Sequence, residues 1–221
     1  MKNLALKLSA VVLTCGIGLY YLKFHNKNQP SPYEVNYRIR NDIFNHSSSR
    51  SGGIVFLGDS QTQRFEASEY LDVSVKNRGI NSDNTTGVLK RLDGIVKTSP
   101  SKVFIQIGIN DIIEGTPKQE IINNTSTIIK RLGSTKAKLY YVSLIPVSPK
   151  FGGYEDINRS VFAINNYMRN FCQSRGITFI NVMASLSGKG GLKEDFDTGD
   201  GLHVNGAAYR IWADSVRRHL R

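Results

Sequence analysis

Residues 53–60 read GIVFLGDS, an unbroken apolar run that ends on Gly-Asp-Ser. Ile54, Val55, Phe56 and Leu57 show no polar alternation, as expected of a strand buried on both faces of a parallel sheet. Gly58 permits a tight turn, and Asp59 and Ser60 are residue types that start helices. The stretch therefore predicts strand, turn and helix, with the Ser60 hydroxyl at the rim of the sheet. There the helix N-terminus and the Ser60 N–H favour developing negative charge. Taken alone, Gly-Asp-Ser is equally an ordinary helix cap.

Further apolar runs follow at 103–107 (VFIQI), 139–144 (LYYVSL) and 177–180 (ITFI), with a weaker one at 73–75 (VSV). Between them lie stripes at helical spacing. Val88, Leu89, Leu92, Ile95 and Val96 form one, and Ile121, Ile122, Ile128, Ile129 and Leu132 a second. Ile157, Val161, Ile164, Tyr167, Met168 and Phe171 form a third, and Ala207, Ile211, Trp212 and Val216 the last. Alternating strands and helices imply right-handed crossovers and a three-layer α/β/α sandwich around a five-stranded parallel sheet. Functional groups of such a sheet gather at the carboxyl ends of its strands.

The composition is that of a globular chain of 221 residues, with 40% hydrophobic and 21% charged residues. It suits one domain, over residues 51–221, plus an N-terminal extension. Residues 8–22 (LSAVVLTCGIGLYYL) are apolar and uncharged, between Lys7 and Lys23. They fit a signal anchor or a signal peptide; the missing small-x-small cleavage site favours the anchor, with the domain outside the cytoplasm. A buried helix of the domain is the other reading. Residues 23–50, with Pro30, Pro32 and Ser47-Ser48-Ser49, read as a tether with a short helix around 33–44. The two cysteines, Cys15 and Cys172, give no disulfide framework, and Cys172 reads as a core residue. A net charge of +11 suits an anionic membrane or acidic polysaccharide, and no nucleic-acid-binding motif accompanies it.

Three further segments bear on chemistry. Gly79, in Asn77-Arg78-Gly79, follows the second strand and would offer a bare backbone N–H. Asn110 follows the third strand through Gly108, and its amide can point into the same crevice. His203, with Asp200 three residues earlier, precedes the last helix. On a loop that spacing lets the carboxylate hold Nδ1 and leaves Nε2 to take a serine proton. Ser60, His203 and Asp200 then form a nucleophile, base and orienting acid. The Ser60 and Gly79 N–H groups and the Asn110 amide would form an oxyanion hole. Glu194, Asp195 and Asp197 read as a solvated loop edge. No metal and no cofactor is implied, because no second histidine or cysteine completes a ligand set.

With these blocks in order, residues 51–221 resemble the SGNH hydrolases, also called GDSL-type esterases and lipases. The residues 79–92 (GINSDNTTGVLKRL) and 200–212 (DGLHVNGAAYRIW) look closest to the platelet-activating-factor acetylhydrolase catalytic-subunit branch. The resemblance implies a flavodoxin-like SGNH hydrolase fold and the same roles for Ser60, Gly79, Asn110, Asp200 and His203. Two departures stand out: Gln61 follows the serine where many members carry an apolar residue, and Asn81-Ser82 replaces a frequent pair of glycines. The expected function is hydrolysis of short-chain, acetyl-type esters of a glycan or lipid through an acyl-serine. The alternatives are an O-acyltransferase using the same intermediate and a non-catalytic glycan-binding module.

Overall fold

A computed structural model describes residues 29–47 and 52–220. Two units divide the chain, Met1–Val35 and Asn36–Arg221. The proposed anchor at 8–22 lies outside the described residues, among which no helix is long and apolar enough to cross a membrane.

Five parallel strands build the sheet: β1 (Ile54–Gly58), β2 (Val75–Gly79), β3 (Lys102–Gln106), β4 (Lys138–Val142) and β5 (Thr178–Ile180). Their spatial order is β2-β1-β3-β4-β5. Alternate strand residues serve opposite layers. Val55, Leu57, Val103, Ile105 and Tyr141 pack beneath three helices, α4 (Thr85–Val96), α6 (Lys118–Gly133) and α7 (Tyr154–Gln173). Phe56, Phe104, Tyr140 and Val142 face the other way, against α9 (Gly206–Arg217) with its buried Trp212. The strand register stacks Phe56 on Phe104 (4.8 Å) and Phe104 on Tyr140 (4.4 Å), a ladder of aromatic pairs through the centre of that layer. Cys172 is free and buried in the first layer.

The helices α4, α6, α7 and α9 fall on the apolar stripes. The weak strand expected at 73–75 is displaced, with Ile54 pairing Val75 and Gly58 pairing Gly79. As the sheet edge it carries Lys76, Asn77 and Arg78, whose polar side chains hide it from a search for apolar runs. Short elements fill the loops: α2 (Ser60–Gln63), α3 (Ala67–Tyr70), α5 (Ile109–Ile113), α8 (Met183–Leu186), and the hairpin β6 (Ser187–Gly188) and β7 (Gly191–Leu192).

Within the segment read as tether, α1 (Pro32–His46) forms a full helix. Its start is a capping box: the Glu34 N–H donates to Ser31 Oγ (3.2 Å) and the Ser31 N–H to Glu34 Oε2 (2.7 Å), with Pro32 at the first helical position. The larger unit begins inside this helix, at Asn36.

Candidate active site

Ser60 opens α2 directly after β1. Asp59 caps that helix, its Oδ1 accepting the Gln61 N–H at 3.0 Å. Gly58 is required by close packing, since a Cβ there would lie 2.2 Å from both Gln106 O and Thr62 Oγ1. Ser60 is only 5% exposed, and its N–H, the first of the helix, has no carbonyl one turn back to bind.

His203 Nε2 stands 2.9 Å from Ser60 Oγ, and His203 Nδ1 stands 2.6 Å from Asp200 Oδ2. Asp200 Oδ1 also accepts the N–H groups of Leu202 (2.9 Å) and His203 (2.8 Å). Burial opposes ionisation of Asp200, but these N–H groups and the histidine ring outweigh it and hold its carboxyl well below the usual range. A fixed carboxylate on Nδ1 selects the tautomer whose Nε2 can accept the serine proton.

The histidine loop is tied from three sides. Asp197 Oδ1 accepts the N–H groups of Gly199 (2.8 Å) and Gly201 (3.0 Å), while its Oδ2 accepts Ser148 Oγ–H (2.9 Å). The Ser148 N–H donates to Gly201 O at 2.8 Å. Gln61 Nε2 donates to Leu202 O at 2.7 Å, and Tyr209 Oη–H donates to Gln61 O at 2.9 Å. Asp197 is thus an internal strut of the loop, not the solvated edge expected for it; Glu194 and Asp195 are exposed as expected. The polar residue after Ser60 has a task, because an apolar side chain could not reach the Leu202 carbonyl with a donor.

Asn110 lies on α5, behind Gly108 with its φ of +134°. One Asn110 Nδ2 hydrogen donates to Asp83 O at 2.8 Å; the amide has a second hydrogen to offer the crevice. Asp83 forms a buried pair with Arg91 (2.8 Å), and Arg91 Nη2 also donates to Gly58 O at 3.2 Å. Burial raises the Asp83 carboxyl to about 6, against the pull of Arg91. Asp111 receives the Thr85 N–H (3.1 and 3.0 Å) and Thr85 Oγ1–H (2.5 Å), which fixes the start of α4 to α5.

The expectation for Gly79 needs correction. Its N–H already donates to Asn77 Oδ1 at 2.9 Å. Gly79 is a glycine because α2 presses on it: a Cβ would lie 2.2 Å from Gln63 N and 2.6 Å from Gln63 Cα. Farther along the loop, Ile80 N–H donates to Gly58 O (3.2 Å), Asn81 N–H to Gln63 Oε1 (2.7 Å) and Asp83 N–H to Ile80 O (3.1 Å). Among the described residues no acceptor takes the Ser82 N–H, and Ser82 holds φ +57°. It sits next to Asp83, whose carbonyl binds Asn110. The Ser82 N–H thus stays available where that of Gly79 is taken. A left-handed serine is unusual, and its only trace in the sequence is the departure from glycine at this position.

Among the described residues no group of three His, Cys, Asp or Glu side chains is placed to hold a metal. A cavity of about 590 Å3 opens at the other end of the sheet, against Lys138 and Leu139 of β4 and Thr178 of β5, and holds none of these groups. A smaller one, about 280 Å3, flanks the histidine loop between Ser148, Lys150, Glu194 and Asp197. With a serine, an imidazole, a carboxylate and convergent N–H donors, the crevice can carry acyl transfer through a covalent serine ester.

Residues 56–211 match the profile of the GDSL-like Lipase/Acylhydrolase family. A GDSL-like lipase from Bacteroides thetaiotaomicron VPI-5482 superposes with a TM-score of 0.75 at 20% identity, over 84% of this chain and 97% of that one. A protein of Streptococcus pneumoniae, provisionally described as a platelet activating factor, superposes with a TM-score of 0.73 at 24% identity, over 96% and 99%. The N-acylneuraminate cytidylyltransferase of Streptococcus agalactiae serotype III (strain NEM316) is 25% identical over 183 residues, 79% of this chain and 41% of that protein. The chain thus spans about two fifths of the length of that curated relative.

Proposed function

The chain belongs to the GDSL-like lipase/acylhydrolase family and is an ester hydrolase, and from that premise we propose that it removes short acyl groups, acetyl above all, from hydroxyls of a glycan. Ser60 Oγ attacks the ester carbonyl while His203 Nε2 takes its proton, and Asp200 steadies the imidazolium that forms. The oxyanion is met by the N–H groups of Ser60 and Ser82 and by the Asn110 amide. The imidazolium then protonates the departing alcohol, and a water activated by His203 releases the acid from Ser60. The observation that carries this reading is the unbroken line from Ser60 Oγ to Nε2 (2.9 Å) and from Nδ1 to Asp200 (2.6 Å).

A nearly buried nucleophile favours a small acyl group over a long chain. The cavity beside the histidine loop carries Ser148, Lys150, Glu194 and Asp197 on its rim, groups that could hydrogen-bond the hydroxyls of an alcohol partner. Net charge +11 favours an anionic carrier. The proposal retains membrane attachment through residues 8–22, tested by whether the full chain resists extraction from membranes in high salt.

The test is a hydrolysis screen of acetylated sugars, lysolipids and chromogenic esters of graded chain length, with and without an added sugar acceptor. Acetate release from the sugars, lost in Ser60→Ala, is expected. Ser60→Ala turnover within tenfold of wild type would end the covalent mechanism, and transfer to the acceptor would make the protein an acyltransferase.

A further inference from the structure

The loop that presents Ser82 is held from outside the region matched by the family profile. Arg40 of α1 donates from Nε and Nη2 to Gly79 O (3.3 and 3.1 Å), and Nη2 reaches Asn77 O at 3.5 Å. Tyr37 Oη–H donates to Gly87 O at 3.2 Å, in the first turn of α4, just beyond that loop. Asn36 Nδ2 makes a long contact, 3.5 Å, to Gln63 Oε1, the oxygen that also takes the Asn81 N–H.

Behind these bonds, the Phe44 ring is faced by the guanidinium groups of Arg78 (4.5 Å), Arg40 (4.9 Å) and Arg91 (5.9 Å). Arg91 is the group that pairs with Asp83, whose carbonyl receives the Asn110 amide. α1 is thus linked to the Asn110 amide through Arg91 and Asp83, and to the Ser82 segment through the backbone that follows Gly79.

The helix is seated in an unusual way. Its polar and aromatic face, Asn36, Tyr37, Arg40 and Phe44, turns inward, while Ile39 and Ile43 stay 54% and 51% exposed. Apolar burial is not what fixes its position. Directed bonds to backbone carbonyls do, and these specify the path of the chain they bind.

Resting on the esterase reading of the same site, we infer that α1 is a brace for the oxyanion loop, with Arg40 as its main positioning residue. Arg40 touches no reacting atom. It holds the end of β2, and so the turn that aims the Ser82 N–H and the Asp83 carbonyl. An error of about 1 Å in such a donor is enough to cost up to about 100-fold in turnover.

The experiment compares the full chain with Arg40→Ala, Arg40→Lys and Tyr37→Phe, using Arg38→Ala on the exposed face as control. Two readouts are taken below the melting temperature of every variant: kcat and KM on 4-nitrophenyl acetate, and amide hydrogen exchange over residues 77–84. Arg40→Ala is expected to lower kcat by about 10- to 100-fold with KM within about twofold, and to speed exchange across 77–84. Arg40→Lys should recover part of both, and Arg38→Ala should change neither. Unchanged exchange in Arg40→Ala, or a loss that Arg38→Ala reproduces, overturns the brace. If Arg40→Ala does not fold, Arg40→Lys and Tyr37→Phe, which each remove only part of the contact, carry the same two criteria. A wild-type chain that hydrolyses no ester sinks the esterase reading instead, and the exchange data alone then decide the brace.

Discussion

Replacing Asn110 by alanine tests the crevice most directly. In the folded protein one amide hydrogen is engaged with Asp83 O at 2.8 Å, and the other is free for an oxyanion. Loss of one such donor costs about 2.7–4 kcal/mol of transition-state stabilisation, or roughly 10²–10³ in kcat. The donor is needed only once charge develops on the carbonyl oxygen, so KM should stay within about threefold. The Asp83 carbonyl also loses its partner, at a cost to stability of about 1 kcal/mol. Asn110→Asp separates these effects from simple loss of a side chain. It is isosteric, yet places a carboxylate against both the Asp83 carbonyl and the oxyanion, and should be the slower of the two variants. Steady-state kinetics on a chromogenic acetate, paired with thermal melts, measure both quantities. If Asn110→Ala raises KM and leaves kcat within threefold, or if Asn110→Asp outperforms it, Asn110 binds ground-state substrate and the oxyanion assignment is wrong.

Asp200→Asn should lower kcat by about 10⁴-fold while the fold persists, because the amide would leave the imidazole in the wrong tautomer; a loss under tenfold would mean the ring is oriented by other groups. Asn77→Ala frees the Gly79 N–H. If that group were the oxyanion donor kcat would rise, whereas the geometry predicts a fall, since Asn77 Nδ2 also ties the Thr62 and Phe65 carbonyls to β2. Stability should also respond to pH. Burial raises Asp59 to about 7 and Asp83 to about 6. Both exceed the ordinary carboxylate value of about 3.9, so the folded state binds protons that the unfolded chain does not. Melting temperature should therefore climb as pH falls from 8 towards 5.5, and Asp59→Asn should flatten the upper part of that rise. Asp200 and Asp197 are depressed and act in the opposite sense, withdrawing stability once pH drops below about 4. A melting temperature that declines steadily from pH 8 to 5.5 would contradict the account.

Four strands of the sheet, and the Ser60, His203 and Asp200 side chains that the fold brings into line, were legible in residue order alone. Apolar runs without alternation announce buried parallel strands, and the chemistry of Ser60, Asn110, Asp200 and His203 is carried by their own side chains. Each stands beside a strand end or helix start that the hydrophobic pattern already marks. What escaped that reading depends on backbone and on distant partners. Gly79 and Ser82 both bring an N–H to the same loop, and only the fold shows that Asn77 occupies the first while a left-handed turn exposes the second. Asp197 reads as one more loop carboxylate until Gly199, Gly201 and Ser148 converge on it. β2 carries little apolar signal because it is an edge strand; the helix expected around 33–44 does form, but it docks by its polar and aromatic face and leaves Ile39 and Ile43 exposed. Side-chain chemistry and local periodicity are written position by position, so a sequence states them directly. The partner of a backbone amide is set by chain segments that are far apart in sequence and adjacent only once the loop has closed.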